Sequence, residues 1–95
     1  MTRIIEYTAS KRKETLEVRG LDFEDTPFVL EHPGTLIEED TRKEYPERRY
    51  NAVGELESRI VHVTFCIRGN ALRIISMRYA KRKERKIYEE RNNRA

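Results

Sequence analysis

Arginine is the side chain that stands out where the chain is most ordered by pattern. Arg68 lies in a tight Arg68-Gly69-Asn70 turn, Arg73 within the strand that follows, and Arg78 near that strand's end. A half-buried arginine in a short strand is costly unless an anion meets it. Its planar fork donates two hydrogen bonds at once and suits phosphate. The alternative is pairing across the sheet with acids such as Glu47 or Glu55. A basic run follows, Lys81-Arg82-Lys83-Glu84-Arg85-Lys86, at the start of a segment helical by propensity. Cations there oppose the positive end of the helix dipole, which suggests another purpose, and a nucleic-acid backbone supplies one; the alternative is a solvated surface helix. Tyr88 can stack on a base or donate a proton; equally, it can pack with Ile87 against a sheet.

Spacing sets a condition on this chemistry. Arg73 and Arg78 are five residues apart, so a regular strand sends them to opposite faces. They serve one site only if a bulge intervenes or the strand has ended by Arg78.

Charge sharpens the contrast between the two parts of the chain. Residues 1–58 hold 9 Lys/Arg against 14 Asp/Glu, and residues 59–95 hold 11 against 3. The overall +3 hides this asymmetry, which points to a polyanion at the basic end and a basic partner at the acidic one. Other chemistries find little support. His32 and His62 lack metal-ligand spacing, and the single cysteine, Cys66, leaves no legible zinc site and no intrachain disulfide. No phosphate-binding glycine motif occurs, so neither a nucleotide cofactor nor any other is expected. No signal-peptide core or membrane-length apolar run is present, and a cytoplasmic protein is expected.

The elements that must hold these residues follow from pattern. The 95 residues make one domain, with apolar residues at 37% and charged ones at 39%, so its core must be thin. Residues 3–7 read as a strand. A helix spans roughly 9–19, capped by Thr8 or Ser10 and ended by Gly20. A short helix starts at Asp22 or Asp25, with Pro27 in its first turn, and His32-Pro33-Gly34 stops it. Residues 35–37 are a candidate strand, and an acidic then mixed stretch follows over 38–49. Residues 50–56 form a strand, with a turn over 55–58. Val61, Val63, Phe65 and Ile67 alternate with His62, Thr64 and Cys66, the mark of a half-buried strand. That parity puts His62 on the exposed side of the strand, where it could act as a general base but reads more simply as an ordinary surface histidine. Residues 72–79 make the last strand. The class is α+β, an antiparallel meander with two N-terminal helices on one face and a charged C-terminal helix.

These residues resemble a known family. Arg73-Ile74-Ile75-Ser76-Met77-Arg78, Ala80, Lys83-Glu84-Arg85-Lys86 and Tyr88-Glu89 are similar to the C-terminal signature of BrnT-type toxins. Glu47, Arg49-Tyr50 and Gly54 are similar to its Arg-Tyr segment, and Val63 to Phe65 with Arg68-Gly69 to its next strand and turn. Lys11, Leu16, Gly20-Leu21, Phe23, Glu31 and Pro33 fit its opening. The Lys-His-Gly that usually ends the first helix stands here as Val18-Arg19-Gly20, and the aromatic–acid pair before it as Tyr7-Thr8.

The resemblance implies a RelE-like ribonuclease fold and a toxin of a type II pair that cuts RNA and arrests translation. It also implies neutralisation by a BrnA-type antitoxin carrying a ribbon-helix-helix, with operator DNA bound only through the complex. On this reading no metal is used. The 2′-hydroxyl attacks the adjacent phosphate while Arg73 and Arg78 clamp the developing charge, Arg49 assists, and Tyr88 protonates the leaving oxygen. Arg19, Arg68, Lys81, Arg82, Lys83, Arg85 and Lys86 would hold RNA. The competing expectation is a catalytically weak member that binds antitoxin and nucleic acid in operon autorepression. No membrane partner is expected.

Overall fold

A computed structural model describes residues 4–93. The element order is β1 (Ile4–Glu6), α1 (Ala9–Arg19), a 3-10 turn (Phe23–Asp25), α2 (Thr26–Glu31), β2 (Leu36–Asp40), β3 (Arg49–Leu56), β4 (Arg59–Arg68), β5 (Ala71–Tyr79) and α3 (Arg82–Asn92). The class is α+β as expected. One correction concerns the sheet. Its order is β1-β5-β4-β3-β2, and while β2 through β5 form the antiparallel meander, β1 pairs with β5 in parallel. The sheet is therefore mixed. Three residues of apolar run announce a strand but say nothing about its partner.

Period-two patterning builds the core. Tyr50, Ala52 and Leu56 of β3, Val61, Val63 and Phe65 of β4, and Leu72, Ile74 and Met77 of β5 share one face. Leu21, Phe23 and Val29 cover that face from the helical segment. Burying these side chains supplies the main folding drive, at about 25 cal/mol per Å² of apolar surface. Close approach fixes one backbone position. A Cβ on Gly54 would lie 2.9 Å from Val29 Cγ1 and would also meet the Thr35 hydroxyl, so α2 seats on β3 only over glycine. The β3–β4 hairpin turns on Glu57 and Ser58, both at positive φ (49° and 70°), the two-residue geometry that matches strand twist.

Helix α1 is held by polar contacts more than by apolar ones. Its Leu16 and Val18 stand 43% and 74% exposed. Lys11 Nζ donates to the Ile75 carbonyl at 2.7 Å, and Arg19 donates to the Met77 carbonyl at 2.7 Å. Strand β1 covers β5 only over residues 71–73. These two side chains satisfy carbonyls on the rest of that edge. Gly20 ends the helix in the left-handed region at φ 69°, as expected. Thr8 occupies the N-cap position without making a capping bond; its hydroxyl instead accepts from Arg73 at 3.1 Å.

Helix α3 is seated at both ends. Glu84 accepts the Lys81 backbone N–H at 2.8 Å at the start. Asn92 donates to the Gly34 carbonyl at 3.1 Å at the other end. Among the described residues, no helix is long and apolar enough to cross a membrane.

Candidate nucleic-acid interface

The face of the sheet opposite the core is polar, and ladder register fixes which residues share it. Arg49 pairs with Cys66, and Cys66 with Arg73. Asn51 pairs with Thr64, and Thr64 with Ser76. Val53 pairs with His62, and His62 with Arg78. Cys66, Thr64 and His62 have one parity on β4, so all three rows face the same way.

Arg73 and Arg78 therefore stand on one face despite their odd spacing. The register shifts between Thr64 and Phe65, which pair with Ser76 and Ile74 respectively and leave Ile75 unmatched. One extra residue in β5 restores the parity that five intervening bonds would break. The Ile75 carbonyl at this bulge is the one that Lys11 caps. The condition set by the sequence is met by the bulge.

Part of this face forms an open cavity of about 780 Å³. Asn51, His62, Thr64 and Ser76 line its floor, and Arg49 and Arg78 flank them. Lys81, Glu84, Ile87 and Arg91 line it from the α3 side, and Asp40 and Arg42 from the β2–β3 side. Cations outnumber carboxylates in the lining by five (Arg42, Arg49, Arg78, Lys81, Arg91) to three (Glu38, Asp40, Glu84). Such a concave, net-positive surface attracts a polyanion.

The arginines differ in how free they are. Arg78 grips Glu84 through both arms of its fork, at 2.8 and 2.9 Å, and also donates to the Tyr79 carbonyl. That grip, with the Lys81 N–H, holds the Glu84 carboxyl down at about 2. Among the described residues Arg73 donates only to the Thr8 hydroxyl, and Arg49 lies 4.5 Å over the Tyr45 ring. Neither has a carboxylate partner among the described residues. Arg42 is tied to the buried Asp40 at 2.8 Å, which keeps that carboxyl far below the usual range. Arg49 and Arg73 are thus the arginines of this face most available to a phosphate.

The remaining sequence-predicted residues divide. Arg68 pairs with Glu47 at 2.5 and 2.9 Å, the cross-sheet alternative to phosphate. Arg19 spends one donor on the β5 edge. Lys81 lines the cavity; Arg82, Arg85 and Lys86 lie together on another face of α3, Arg85 donating to the Ala80 carbonyl, and Lys83 is exposed outside the cavity lining. Tyr88 is only 4% exposed, does not line the cavity, and sits toward His32, Glu55 and Ile60. Burial pushes its hydroxyl above the ordinary tyrosine value. The structure does not bring Tyr88 to Arg49, Arg73 or Arg78.

Sequence reasoning missed one lining residue and misjudged the burial of another. Arg91 reaches the cavity from the last turn of α3, one helical face along from Glu84 and Ile87. His62, expected to be exposed, is 9% exposed. Period-two parity put it correctly off the core face, but that face is not bare: the start of α3 and the Arg42 segment lie over it. Burial, then the nearby Arg78 guanidinium, lowers the His62 imidazole below its ordinary 6.5. No signal in the sequence marks the α3 docking that buries it.

A comparison with curated proteins finds no match. A family model described as a ribonuclease toxin, BrnT, of a type II toxin–antitoxin system matches residues 7–84. The matched span runs from the residue after β1 into the first turn of α3 and takes in the whole arginine-bearing sheet face. The chain belongs to the BrnT family of ribonuclease toxins of type II toxin–antitoxin systems.

Proposed function

We propose that this chain is a metal-independent endoribonuclease in a RelE-like arrangement, with the open face of β3, β4 and β5 as its RNA cradle. The observation that carries this reading is the bulge at Ile75, which puts Arg73 on the same sheet face as Arg49 and Arg78, the two arginines that line the net-positive cavity. Arg73 and Arg49 contact the phosphate on either side of Cys66. Arg78, already fixed by Glu84, adds its charge to the field and orients the wall. Positioned guanidinium groups stabilise charge that develops on phosphoryl oxygens as the 2′-hydroxyl attacks. Lys81 and Arg91 extend the attraction along the groove, while Arg82, Lys83, Arg85 and Lys86 contribute at longer range. Tyr88 is left out of the cradle by its burial.

The family implies an antitoxin partner and an RNA substrate. A BrnA-type ribbon-helix-helix antitoxin, arrest of translation in the cytoplasm, and operator binding through the complex complete the proposal. Purified protein incubated with RNA in EDTA tests it. Cleavage by wild type and its loss in Arg73→Ala support the reading; no cleavage by wild type, or equal cleavage by both, overturns it. A catalytically weak protein that binds its antitoxin would instead leave growth and RNA intact when expressed alone, yet co-purify with a neighbour-encoded partner.

A further inference from the structure

His62 sits in the middle of the open face, beside Arg78 in the ladder, and the RNA cradle proposed above gives it no role. Buried histidines are ordinarily held through both ring nitrogens by donors or acceptors. This one is not. Its Nδ1 is sealed from solvent without a hydrogen-bond partner among the described residues. Its Nε2 lies 3.9 Å from Glu84 Oε2, too far for a hydrogen bond yet close enough to favour a charge on the ring. The ring also lines the cavity that Arg49 and Arg78 flank. A structural role would spend those nitrogens on bonds; here one is idle and the other faces a carboxylate fixed in place by Arg78.

Resting on the ribonuclease reading, we propose that His62 accepts the 2′-hydroxyl proton when RNA is cleaved on this face. The 2′-oxygen bonds to the adjacent phosphorus, the bond from phosphorus to the 5′-oxygen breaks, and the proton passes to Nε2 of His62. The departing 5′-oxygen takes a proton from water, and the hydroxide so formed is neutralised as the imidazolium releases its proton to solvent. The products are a 2′,3′-cyclic phosphate and a 5′-hydroxyl. The groups that face the ring set its behaviour. Burial first, then Arg78 of β5, with Arg42 of the β2–β3 loop and Lys81 ahead of α3, favours the neutral resting ring that is ready to accept. Glu84 of α3 lies 3.9 Å from Nε2 and stabilises the imidazolium while the proton is held, whereas Asp40, which lines the same cavity, is already paired with Arg42, and Glu38 of β2 lines it as well.

The test compares wild type with His62→Gln. Single-turnover cleavage of an RNA oligonucleotide is followed from pH 5 to 8.5, and binding of the same oligonucleotide with 2′-deoxyribose at the cleaved position is measured alongside. General-base loss predicts a rate drop of about 100-fold or more with analogue binding within about threefold of wild type. The wild-type rate should fall on the acid side below 6.5, as the ring becomes protonated before it can accept, and the residual His62→Gln rate should lack that limb. Wild-type cleavage with an undiminished His62→Gln rate overturns the role of His62 and leaves the ribonuclease reading standing. A wild-type rate flat across the acid range does the same, whether or not the variant folds. Absence of wild-type cleavage overturns both.

Discussion

Replacing Glu84 with glutamine removes one charge from the centre of the cavity wall without changing its shape. In the native protein the carboxylate accepts two bonds from Arg78, at 2.8 and 2.9 Å, and one from the Lys81 N–H at 2.8 Å. The amide of glutamine can keep the Lys81 bond but turns a donor toward one arm of the guanidinium. Arg78, 28% exposed at its side chain, is then left half-buried without a counter-charge. The carboxyl is depressed from 4.5 to about 2, chiefly by the Arg78 hydrogen bonds, against the opposing effect of its own burial. At about 1.4 kcal/mol per pH unit, that depression corresponds to about 3 kcal/mol of native-state stabilisation. Since the Lys81 bond survives in part, the loss in Glu84→Gln should be about 2 kcal/mol at pH 7. The sign with pH follows from a depressed carboxyl. Its contribution is fully present above 4.5 and is lost as pH falls through about 2, so wild type and variant should converge toward the acid end. Equilibrium urea unfolding at pH 7, 4.5 and 3 measures this. A difference below about 0.5 kcal/mol at pH 7, as for an ordinary surface ion pair, or a difference unchanged at pH 3, would refute the reasoning.

Other expectations come from single contacts. Arg73→Ala should lower RNA cleavage by about 100-fold, the cost of losing one preorganised donor, while unfolding free energy changes by less than about 1 kcal/mol because only the Thr8 hydroxyl is released. Gly54→Ala should destabilise the fold by about 1–3 kcal/mol, since the added Cβ strikes Thr35 and Val29; a thermal melt unchanged from wild type would contradict the α2 seating. Deletion of Ile75 leaves Arg73 and Arg78 four residues apart, so a regular ladder keeps Leu72, Ile74 and Met77 inward and both arginines outward. That variant should fold and still bind RNA, whereas inserting one residue after Ile75 should abolish binding; equal behaviour of the two would mean that register does not govern the face.

The alternation in β4 and β5, the left-handed Gly20 and the Pro27 first turn were legible because each is a local constraint acting within a few residues. The bulge was not legible, since nothing about Ile74-Ile75-Ser76 says which of them leaves the ladder. The sequence showed only that shared use of Arg73 and Arg78 needed such a break. Long-range packing hid the rest. The parallel partner of β1 lies more than sixty residues away, and the burial of His62 and Tyr88 depends on how α3 crosses the strand ends. Charge was the most misleading signal. The run from Lys81 to Lys86 reads as one basic surface, yet the helix turns Lys81 and Glu84 toward the cavity and Arg82, Arg85 and Lys86 away from it. The acids that neutralise arginines were visible in type but not in pairing: Glu47 meets Arg68, while Glu84, inside the basic run, meets Arg78.

The central claim is that RNA is cleaved on the open sheet face and not along the outer side of α3. Cleavage of one RNA in EDTA by two multiple variants decides it: Arg49→Ala/Arg73→Ala on the sheet, and Arg82→Ala/Arg85→Ala/Lys86→Ala on the helix. The account predicts a loss of at least about 100-fold for the sheet variant and less than about 10-fold for the helix variant. Cleavage that survives on the sheet variant and vanishes with the helix variant would contradict it.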